Sequence, residues 1–243
     1  MVGALGGRRV LVTGASSGIG EAVASAVVGS GARVALLARR ADRLASLADR
    51  LGTGAVAVTC DITDEAAVPD AVDEAAARLG GLDAVVNSAG VFTVGPVADT
   101  DPAAWRAMFE VNVLGLLAVT KAAIPHLRAG VAPTVVNISS LSGRRVPRAT
   151  SGVYAATKFA VHALGEGLRL ELAPEGIRVT TVAPGLVDTD IAVSWDHPGS
   201  DEFRNRLAKH GLSPEAVARA VLHVLGSPPE VNVVEYAVMS ITQ

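Results

Sequence analysis

Cysteine, aromatic residues and excess charge of one sign are all scarce in this chain of 243 residues. The single cysteine, Cys60, excludes an internal disulfide and fits a reducing compartment. Aromatic residues make up only 3% of a chain that is 50% hydrophobic, so the core must consist mainly of alanine, valine and leucine. The formal net charge is −3 and there is no basic stripe, which argues against a nucleic-acid partner.

Long apolar runs and metal-ligand spacings are missing as well. The most apolar stretch, Val111–Val119, is too short to span a bilayer. Glycines interrupt the first residues, where a signal peptide would need a continuous apolar segment. None of the five histidines stands at zinc-ligand spacing. We therefore expect a soluble cytoplasmic protein with no membrane partner and no metal.

Short apolar runs alternate with amphipathic segments from one end of the chain to the other. The apolar runs predict strands at Val10–Val12, Val34–Leu37, Ala55–Thr59, Ala84–Val86, Thr134–Ile138, Val179–Ala183 and Val233–Val238. The amphipathic segments predict helices that start near Gly18, Ala41, Asp64, Asp101, Ser151 and Ser213. This alternation is typical of a doubly wound parallel α/β sheet with helices on both faces. No linker divides the chain, so residues 1–243 should form one domain that binds ligands at the carboxyl ends of its strands.

A glycine-rich turn follows the first predicted strand. Gly14, Gly18 and Gly20 give the spacing G-x-x-x-G-x-G, and a helix begins within it. Gly14 allows a sharp turn off the strand, Gly18 lets the backbone approach a pyrophosphate, and Gly20 lets the helix pack close to the sheet. The free N–H groups and the dipole of the first helical turn then face the phosphates. An ordinary turn is the alternative, but the strand before it and the helix after it favour a dinucleotide site.

The residues after the second and third strands indicate which dinucleotide binds. An acidic residue after the second strand would hydrogen-bond the ribose 2′-hydroxyl, but this chain has Arg39 and Arg40 there. The guanidinium of Arg39 suits a 2′-phosphate, which predicts a preference for NADP(H); the alternative is a solvated arginine at a helix start. Asp61, after the third strand, would accept from the adenine amino group while Ile62 covers the ring, or it would cap the next helix.

The turn after the fourth strand and the helix beyond it carry weaker signals. Asn87-Ser88-Ala89-Gly90 is a small polar turn that would bring the backbone close to the cofactor. Asn112 is an amide inside an apolar helix, and such a group is costly to bury unless its hydrogen bonds are satisfied. A purely structural buried asparagine explains that position equally well.

A serine, a tyrosine and a lysine converge on the same edge of the predicted sheet. Ser140 follows the fifth strand, and Tyr154 and Lys158 share one face of the next helix because they are four residues apart. A tyrosine normally has a pKa near ~10, and a nearby ammonium with a positive nicotinamide would lower it. Tyr154 would then act as a general acid and base. A chance Tyr-x-x-x-Lys pair is the alternative.

Together these residues resemble the short-chain dehydrogenase/reductase family in its compact single-domain form. The resemblance extends from residue 9 to residue 189 and includes the glycine motif, the polar turn, the serine, tyrosine and lysine, and Pro184-Gly185. It implies a Rossmann fold, bound NADP(H), and hydride transfer between the nicotinamide and a small-molecule carbonyl or alcohol.

The resemblance also implies roles for single positions. The implied catalytic set is Asn112, Ser140, Tyr154 and Lys158. Ser140 would hydrogen-bond the substrate oxygen and Tyr154 would exchange a proton with it. Lys158 would lower the tyrosine pKa and hold the nicotinamide ribose, and Asn112 would order a water linked to Lys158. The expected cofactor contacts are Gly14, Ser16, Ser17, Gly18, Ile19, Gly20, Arg39, Arg40, Asp61, Ile62, Asn87, Ala89, Gly90, Tyr154, Lys158, Pro184, Gly185, Val187 and Thr189.

The chain departs from the family pattern at three places. Ser88 stands where the family often has a second asparagine. Ser140 and Tyr154 are 14 residues apart, one more than the commonest family spacing, which leaves Ser139 and Ser142 as alternative catalytic serines. The C-terminal residues lack the usual Asp-Gly-Gly ending and resemble the branch with clavulanate-aldehyde and serine-type hydroxy-acid dehydrogenases, which favours NADP.

The substrate and the partners are the least defined. A lid is expected at residues 190–212, where Trp195, His197 and Phe203 stand. Three arginines after the catalytic serine would bind an anionic substrate, or else form a solvated loop or a subunit contact. They are Arg144, Arg145 and Arg148.

Two of the predicted helices, at residues 101–128 and 151–173, are apolar over more than one face. The family pairs these helices across a two-fold axis, so a homotetramer or else a homodimer is expected. Two alternatives to a carbonyl reductase stay open. One is an enzyme that uses the same site for dehydration, epimerisation or cyclisation, and the other is a non-catalytic NADP-binding regulator.

Overall fold

A single parallel sheet runs through the computed structural model, which describes residues 5–189 and 200–243. Within those residues it has seven strands in the order β3-β2-β1-β4-β5-β6-β7, and every neighbouring pair is parallel. The strands are β1 (Arg9–Thr13), β2 (Arg33–Ala38), β3 (Ala55–Thr59), β4 (Ala84–Asn87), β5 (Thr134–Ile138), β6 (Arg178–Pro184) and β7 (Glu235–Val238). The doubly wound parallel fold predicted from the sequence is confirmed.

Helices cover both faces of this sheet. In the described residues they are α1 (Gly18–Gly29), α2 (Ala41–Leu51), α3 (Val68–Leu79), α4 (Pro102–Phe109), α5 (Leu116–Leu127), α6 (Gly152–Leu172), α7 (Ser200–His210) and α8 (Pro214–Leu225). Side chains alternate along each strand, so Val34 and Leu36 pack with α1, α2 and α8, while Ala35 and Leu37 pack with α3, α5 and α6. Two aliphatic cores result, one on each face.

The predicted element positions are right in their centres and differ at some ends. The last strand begins at Glu235 instead of Val233, and the third helix begins at Val68 instead of near Asp64. Asp64 accepts hydrogen bonds from the N–H groups of Ala66 and Ala67, so it closes a turn before the helix.

Part of the expected lid falls on a helix. The interval 190–212 includes α7, which contains Phe203. Trp195 and His197 lie outside the described residues. The helix was missed because its sequence, Ser200–His210, is strongly polar and shows little apolar periodicity.

One long helical stretch joins α4 to α5 through the π-helical segment Glu110–Gly115. The combined stretch, Pro102–Leu127, has 26 residues, and among the described residues it alone is long and apolar enough to cross a membrane by length and composition. It is longer than the apolar run seen in the sequence because the flanking turns are helical too. In this structure it packs against α3 and α6, and 39% of its most apolar window is buried.

The amino ends of the strands hold a buried ion pair. Arg9 Nη2 lies 2.6 Å from Asp83 Oδ1, and Arg9 Nε donates to Asp83 Oδ2 at 2.9 Å. The N–H of Val131 donates to the same carboxylate at 2.7 Å. Burial opposes ionisation of Asp83, but these hydrogen bonds outweigh it and hold its pKa below the ordinary value. The pair ties the start of β1 to the residue before β4.

Two further arginines at this edge bind backbone carbonyls. Arg8 donates to the oxygens of Leu225 at 2.6 Å and of Ala132 at 2.7 Å. Arg178 is 6% exposed and donates to Thr134 Oγ1 at 2.8 Å. Burial lowers the pKa of both guanidinium groups. The amino edge of the sheet is therefore held together by charged side chains that bind the protein itself.

Candidate active site

A cleft of about 900 Å³ runs along the carboxyl ends of the strands. Its walls are the glycine-rich loop after β1, the residues that follow β2 to β6, and the inner face of α7. This is the edge where a doubly wound sheet leaves a crevice for ligands, as the sequence predicted.

The glycine loop fits between two other segments so closely that side chains are excluded. Gly14 has φ +67°, and a Cβ there would lie 2.7 Å from Ala89 Cα. Gly18 has φ +56°, and its Cβ would lie 3.1 Å from Thr189 Cγ2. A Cβ on Gly20 would overlap the carbonyl oxygen of Gly14. No side chain caps α1, so its first N–H groups are left facing the cleft.

The two arginines after β2 occupy different positions. Arg40 binds two serines of the glycine-rich loop: its Nη2 donates to Ser16 Oγ at 2.8 Å and to Ser17 Oγ at 2.7 Å. Arg39 is 66% exposed, and its Nη1 lies 3.6 Å from Asp61 Oδ2. Both guanidinium groups line the same end of the cleft, as does Ile19. The sequence emphasised Arg39, whereas the structure gives Arg40 the more fixed position.

Asp61 stands on the cleft wall and does not cap the following helix. Its Oδ1 accepts from the N–H of Thr63 at 3.0 Å and from the Thr63 hydroxyl at 2.9 Å. Burial opposes ionisation, but the bonds from Thr63 and the nearby Arg39 outweigh it, so the pKa of Asp61 is lowered. Ile62 lies beside it on the wall, as predicted for an adenine site.

Asn87 is placed differently from the prediction. It was expected to contact the cofactor, but it is 2% exposed and lies beneath the cleft floor. Its Nδ2 donates to Thr120 Oγ1 and to Asn137 Oδ1, each at 2.9 Å. The strand pleat explains this: Asn87 ends β4 pointing into the structure, and the chain reaches the cleft from Ser88 onward, where Ala89 and Gly90 line it as well.

Asn112 sits in the π-helical segment with its amide fully engaged by the protein. Oδ1 accepts from the N–H of Val91 at 2.8 Å, and Nδ2 donates to the oxygens of Val91 at 3.0 Å and Thr157 Oγ1 at 3.1 Å. It does not line the cleft. A Cβ on Gly90 would lie 3.3 Å from Asn112 Oδ1 and 3.9 Å from Lys158 Nζ, so the two predicted catalytic residues flank that glycine.

The candidate serines differ in the groups that their side chains contact. Ser140 follows β5, lines the cleft with Tyr154, and acts to lower the tyrosine pKa. Its Oγ also accepts from the N–H of Ser142 at 3.0 Å. Ser139 and Ser142 line the cleft too, but Ser139 is 4% exposed and has its Oγ 2.9 Å from His162 Nδ1. Ser140 is therefore the serine that stands beside the tyrosine.

Lys158 lies behind Tyr154, 6% exposed, with Nζ donating to the carbonyl oxygen of Ile138 at 3.1 Å. Nζ is 5.8 Å from the centre of the Tyr154 ring. Burial raises the pKa of Tyr154 to about 12, although Ser140 acts in the other direction. Burial lowers the pKa of Lys158 to about 8.

The predicted lowering of the Tyr154 pKa is therefore wrong for the protein by itself. Burial dominates both groups, and it favours the neutral form of each. At neutral pH Tyr154 holds its proton firmly, while the ammonium of Lys158 is close to its titration range. The sequence could not show this, because it does not reveal how deeply the helix is buried at these positions.

A chain of polar side chains behind Ser139 was not anticipated. His162 Nε2 lies 3.0 Å from Glu235 Oε1, and Arg144 Nε donates to the same oxygen at 2.6 Å. A Cβ on Gly143 would overlap His162, so the loop after the serines lies directly on α6. These side-chain contacts connect β5, α6, β7 and this loop. Their one sequence signal is that His162 follows Lys158 by four residues, on the same helix face.

Most of the remaining predicted residues line the cleft. Pro184, Gly185, Val187 and Thr189 do so, with Thr189 close to Gly18. Of the three loop arginines, Arg145 and Arg148 line the cleft, whereas Arg144 is bound to Glu235. Within the described ranges, no group of three or more His, Cys, Asp or Glu residues could hold a metal ion.

Comparison with known proteins agrees with this architecture. A family model described as short chain dehydrogenase matches residues 8–198. An uncharacterized oxidoreductase of Staphylococcus aureus is 38% identical over 229 residues, which cover 94% of this chain and 95% of that protein.

Three solved structures are similar over nearly their whole length. A short chain dehydrogenase from Burkholderia cenocepacia in complex with NADP is 36% identical, with a TM-score of 0.85, covering 97% of this chain and 98% of that one. The closed form of a serine dehydrogenase complexed with NADP+ is 31% identical, with a TM-score of 0.88 and coverage of 96% and 95%. A 3-ketoacyl-(acyl-carrier-protein) reductase from Brucella melitensis complexed with NADH is 30% identical, with a TM-score of 0.85 and coverage of 96% and 97%.

Proposed function

The chain is an oxidoreductase of the short-chain dehydrogenase family, and from this premise we propose that it uses NADP(H) to interconvert a small-molecule carbonyl compound and its alcohol. One observation carries the proposal. Ser140 and Tyr154 both line the wall of the cleft, where the serine acts to lower the tyrosine pKa, and Nζ of the buried Lys158 lies 5.8 Å from the centre of the tyrosine ring. A hydroxyl pair beside a buried amine is suited to moving one proton to or from a substrate oxygen.

The cleft also has the features that a phosphorylated dinucleotide needs. At Gly14, Gly18 and Gly20 a Cβ would crowd neighbouring atoms, so the close packing of this loop requires glycine. The amino end of α1, which no side chain caps, suits a pyrophosphate. Arg39 and Arg40 line the end where a 2′-phosphate would lie, which favours NADP(H) over NAD(H). When bound, the cofactor supplies or accepts the hydride. The complexes of related proteins with NADP support this assignment, although one relative was solved with NADH.

The residues of this chain perform the rest of the proposed reaction. Ser140 donates a hydrogen bond to the substrate oxygen and so orients the carbonyl. Tyr154, whose raised pKa keeps it protonated at neutral pH, donates its proton to that oxygen during reduction. The Lys158 ammonium, when protonated, stabilises the phenolate that is left. Asn112 positions these groups by joining the π-helical segment to the chain beside Gly90.

The assembly and location of the protein are part of the same proposal. We take residues 1–243 as one cofactor-binding domain with a lid at about residues 190–212. Leu114, Phe159 and Leu170 are exposed on the helices expected to pair, at 48%, 43% and 61%. These apolar side chains support a homotetramer or a homodimer, which would cover them. A cytoplasmic location fits the single cysteine, and no nucleic-acid or membrane partner is proposed.

A cofactor titration followed by a turnover assay tests the proposal. Fluorescence titrations with NADPH and NADH should give clearly tighter binding of NADPH. Absorbance of NADPH is then followed with a panel of aldehydes, ketones and keto acids, with Tyr154→Phe as the inactive control. Equal binding of NADH would refute the role of the arginines, and failure to bind either would refute the reaction class. Product formed without net NADPH consumption would point to dehydration, epimerisation or cyclisation instead.

A further inference from the structure

The substrate end of the cleft is positively charged. Its described lining includes three arginines, Arg145, Arg148 and Arg206. The only carboxylate among the described lining residues is Asp61, which lies at the opposite end beside Arg39. An uncharged carbonyl substrate would not need this distribution of charge.

The position of α7 brings Arg206 to the cleft that Tyr154 also lines. Phe203 stacks on Phe92 with ring centres 5.7 Å apart, and Phe92 meets the edge of Tyr154 at 4.7 Å. Arg206 is three residues after Phe203 on the same helix, and Leu207 is four residues after it. Residues at these spacings share one helix face, so Arg206 stands beside the aromatic wall.

The loop after Ser140 brings Arg145 to the same end of the cleft from the other side. This loop is held in place by a hydrogen bond from the N–H of Gly95 to the oxygen of Thr150 at 2.9 Å. Arg148, in the same loop, lies over the Phe203 ring at 5.5 Å and so joins the loop to α7. Arg145 and Arg206 are exposed, and neither guanidinium has a hydrogen bond or an ion pair with the part of the chain that the structure describes, which leaves out the side chains at positions 200, 202 and 204.

The neighbouring Arg144 belongs to the same loop, but its side chain forms an ion pair within the protein. Its Nε donates to Glu235 at 2.6 Å, so its charge is neutralised outside the cleft. Among the side chains that the structure describes, neither Arg145 nor Arg206 has such an acidic partner, and both border the cleft. A guanidinium in this situation is suited to a carboxylate or phosphate group, which it can bind with two hydrogen bonds.

We propose that Arg145 and Arg206 bind an anionic group of the substrate, a carboxylate or a phosphate, while the Phe92 and Phe203 rings contact its apolar part. The inference rests on the proposed function and names the substrate class of that same site: a small anionic carbonyl compound. Specificity follows from the distance between the reacting carbonyl at Tyr154 and the anion at the arginines.

Matched substrate pairs test this directly. For a keto acid and its methyl ester, kcat/KM should favour the acid by at least tenfold. Arg145→Gln and Arg206→Gln should each lower kcat/KM for the acid about tenfold, mainly through KM, and leave the ester within twofold. Arg219→Gln, which removes an exposed charge on α8 outside the cleft, should change neither substrate. The Lys variants at 145 and 206 should keep part of the preference.

A second pair, glyceraldehyde 3-phosphate against glyceraldehyde, distinguishes phosphate from carboxylate as the preferred anion. A preference for the charged member of either pair that the Gln variants remove supports the inference. Equal kcat/KM for charged and neutral members overturns it while leaving the carbonyl reductase intact. An unchanged preference in both variants overturns it too, as does a raised Kd for NADPH, because the arginines would then serve the cofactor. Failure of all carbonyl substrates would instead refute the proposed function.

Discussion

The polar groups at the two edges of the sheet have different kinds of partner. At the amino edge, Arg8, Arg9, Asp83 and Arg178 bind each other or backbone carbonyls of neighbouring segments. At the carboxyl edge, hydroxyls, open N–H groups and arginines face a cleft. Both edges are rich in polar atoms, but at the amino edge the charged side chains bind the protein itself, although Arg8 Nε and Arg178 Nε have no hydrogen bond within the described residues.

The difference indicates which polar residues serve stability and which serve function. A buried charge that is paired within the protein contributes to the fold, whereas removal of its partner leaves an uncompensated charge. A buried ionisable group without a charged partner destabilises the fold and persists where the reaction needs it. Lys158 is of the second kind, because within the described residues its Nζ donates to an uncharged group, the carbonyl oxygen of Ile138. Substitutions at the two edges should therefore separate activity from stability.

The largest effect is expected at the carboxyl edge, for Tyr154→Phe. This change removes the proton donor and leaves the ring in place against Phe92. We expect kcat to fall about 10³-fold, with the Kd for NADPH and the melting temperature nearly unchanged. Stopped-flow absorbance and a thermal melt measure these. A variant that keeps a tenth of wild-type kcat would show that another group transfers the proton.

At the amino edge, Asp83→Asn should destabilise the protein without affecting the chemistry. The Asp83 side chain is 3% exposed, so the charge of Arg9 would be left without its counter-ion. We expect a loss of about 3–5 kcal/mol, or about 10 °C in Tm. The kcat of the folded fraction should be unchanged. Because the pKa of Asp83 is lowered by folding, its contribution is present above the unfolded pKa and is lost as pH falls through the folded pKa.

The surface pair of Arg128 and Glu175 is the matched control for this prediction. Arg128→Gln breaks an ion pair of similar geometry in solvent, where such pairs contribute little. If Arg128→Gln and Asp83→Asn lowered Tm equally, burial would not be what makes the amino edge different.

Lys158→Met should show the opposite combination, with lower activity and higher stability. Folding lowers the pKa of Lys158 from 10.5 to about 8, which corresponds to about 3 kcal/mol at neutral pH. The unfolded chain binds the extra proton between these values, so wild-type stability rises with pH from about 8 to 10.5, and the advantage of the variant shrinks there. Urea unfolding at pH 7 and pH 10 measures this. A variant less stable at both values would mean that the bond to Ile138 outweighs burial.

The smallest effect is expected at the exposed end of the cleft, for Arg39→Asp. Arg39 is 66% exposed and shares its charge with Asp61, while Arg40 remains on the glycine loop. We expect the Kd for NADPH to rise about tenfold and the Kd for NADH to change little or fall. Fluorescence titration with both cofactors measures the ratio. Arg50→Asp, on the neighbouring helix and outside the cleft, is the charge control.

The sequence predicted what depends on local pattern. Apolar runs located the strands, and the glycine spacing located the loop, because both are consequences of a few adjacent residues. Tyr154 and Lys158 could be paired because helical spacing alone places them on one face. Family resemblance then connected these segments across more than a hundred residues, which no local pattern could do.

Side-chain direction and depth of burial could not be predicted. Ser139 and Ser140 are adjacent and chemically identical, yet one meets His162 and the other Tyr154. Arg144 and Arg145 differ in the same way, because only Arg144 forms an ion pair with Glu235, which lies 91 residues later on β7. In the protein by itself the Tyr154 pKa is raised, because burial, a property of the packed structure, dominates it; the lowering expected with a bound nicotinamide stays a prediction.

The contact between Gly14 and Ala89 also determines when, during folding, a dinucleotide can first bind. Val10 of β1 pairs with Ala84 of β4, and these strands are separated in the chain by β2 and β3. Until β4 docks, the glycine loop lacks the wall that Ala89 provides. A partly folded chain with only β1 to β3 paired therefore has no complete cleft. A cofactor that fits this cleft should therefore leave the rate of early collapse unchanged. It should slow unfolding instead, because it binds the native state and not the partly folded chain.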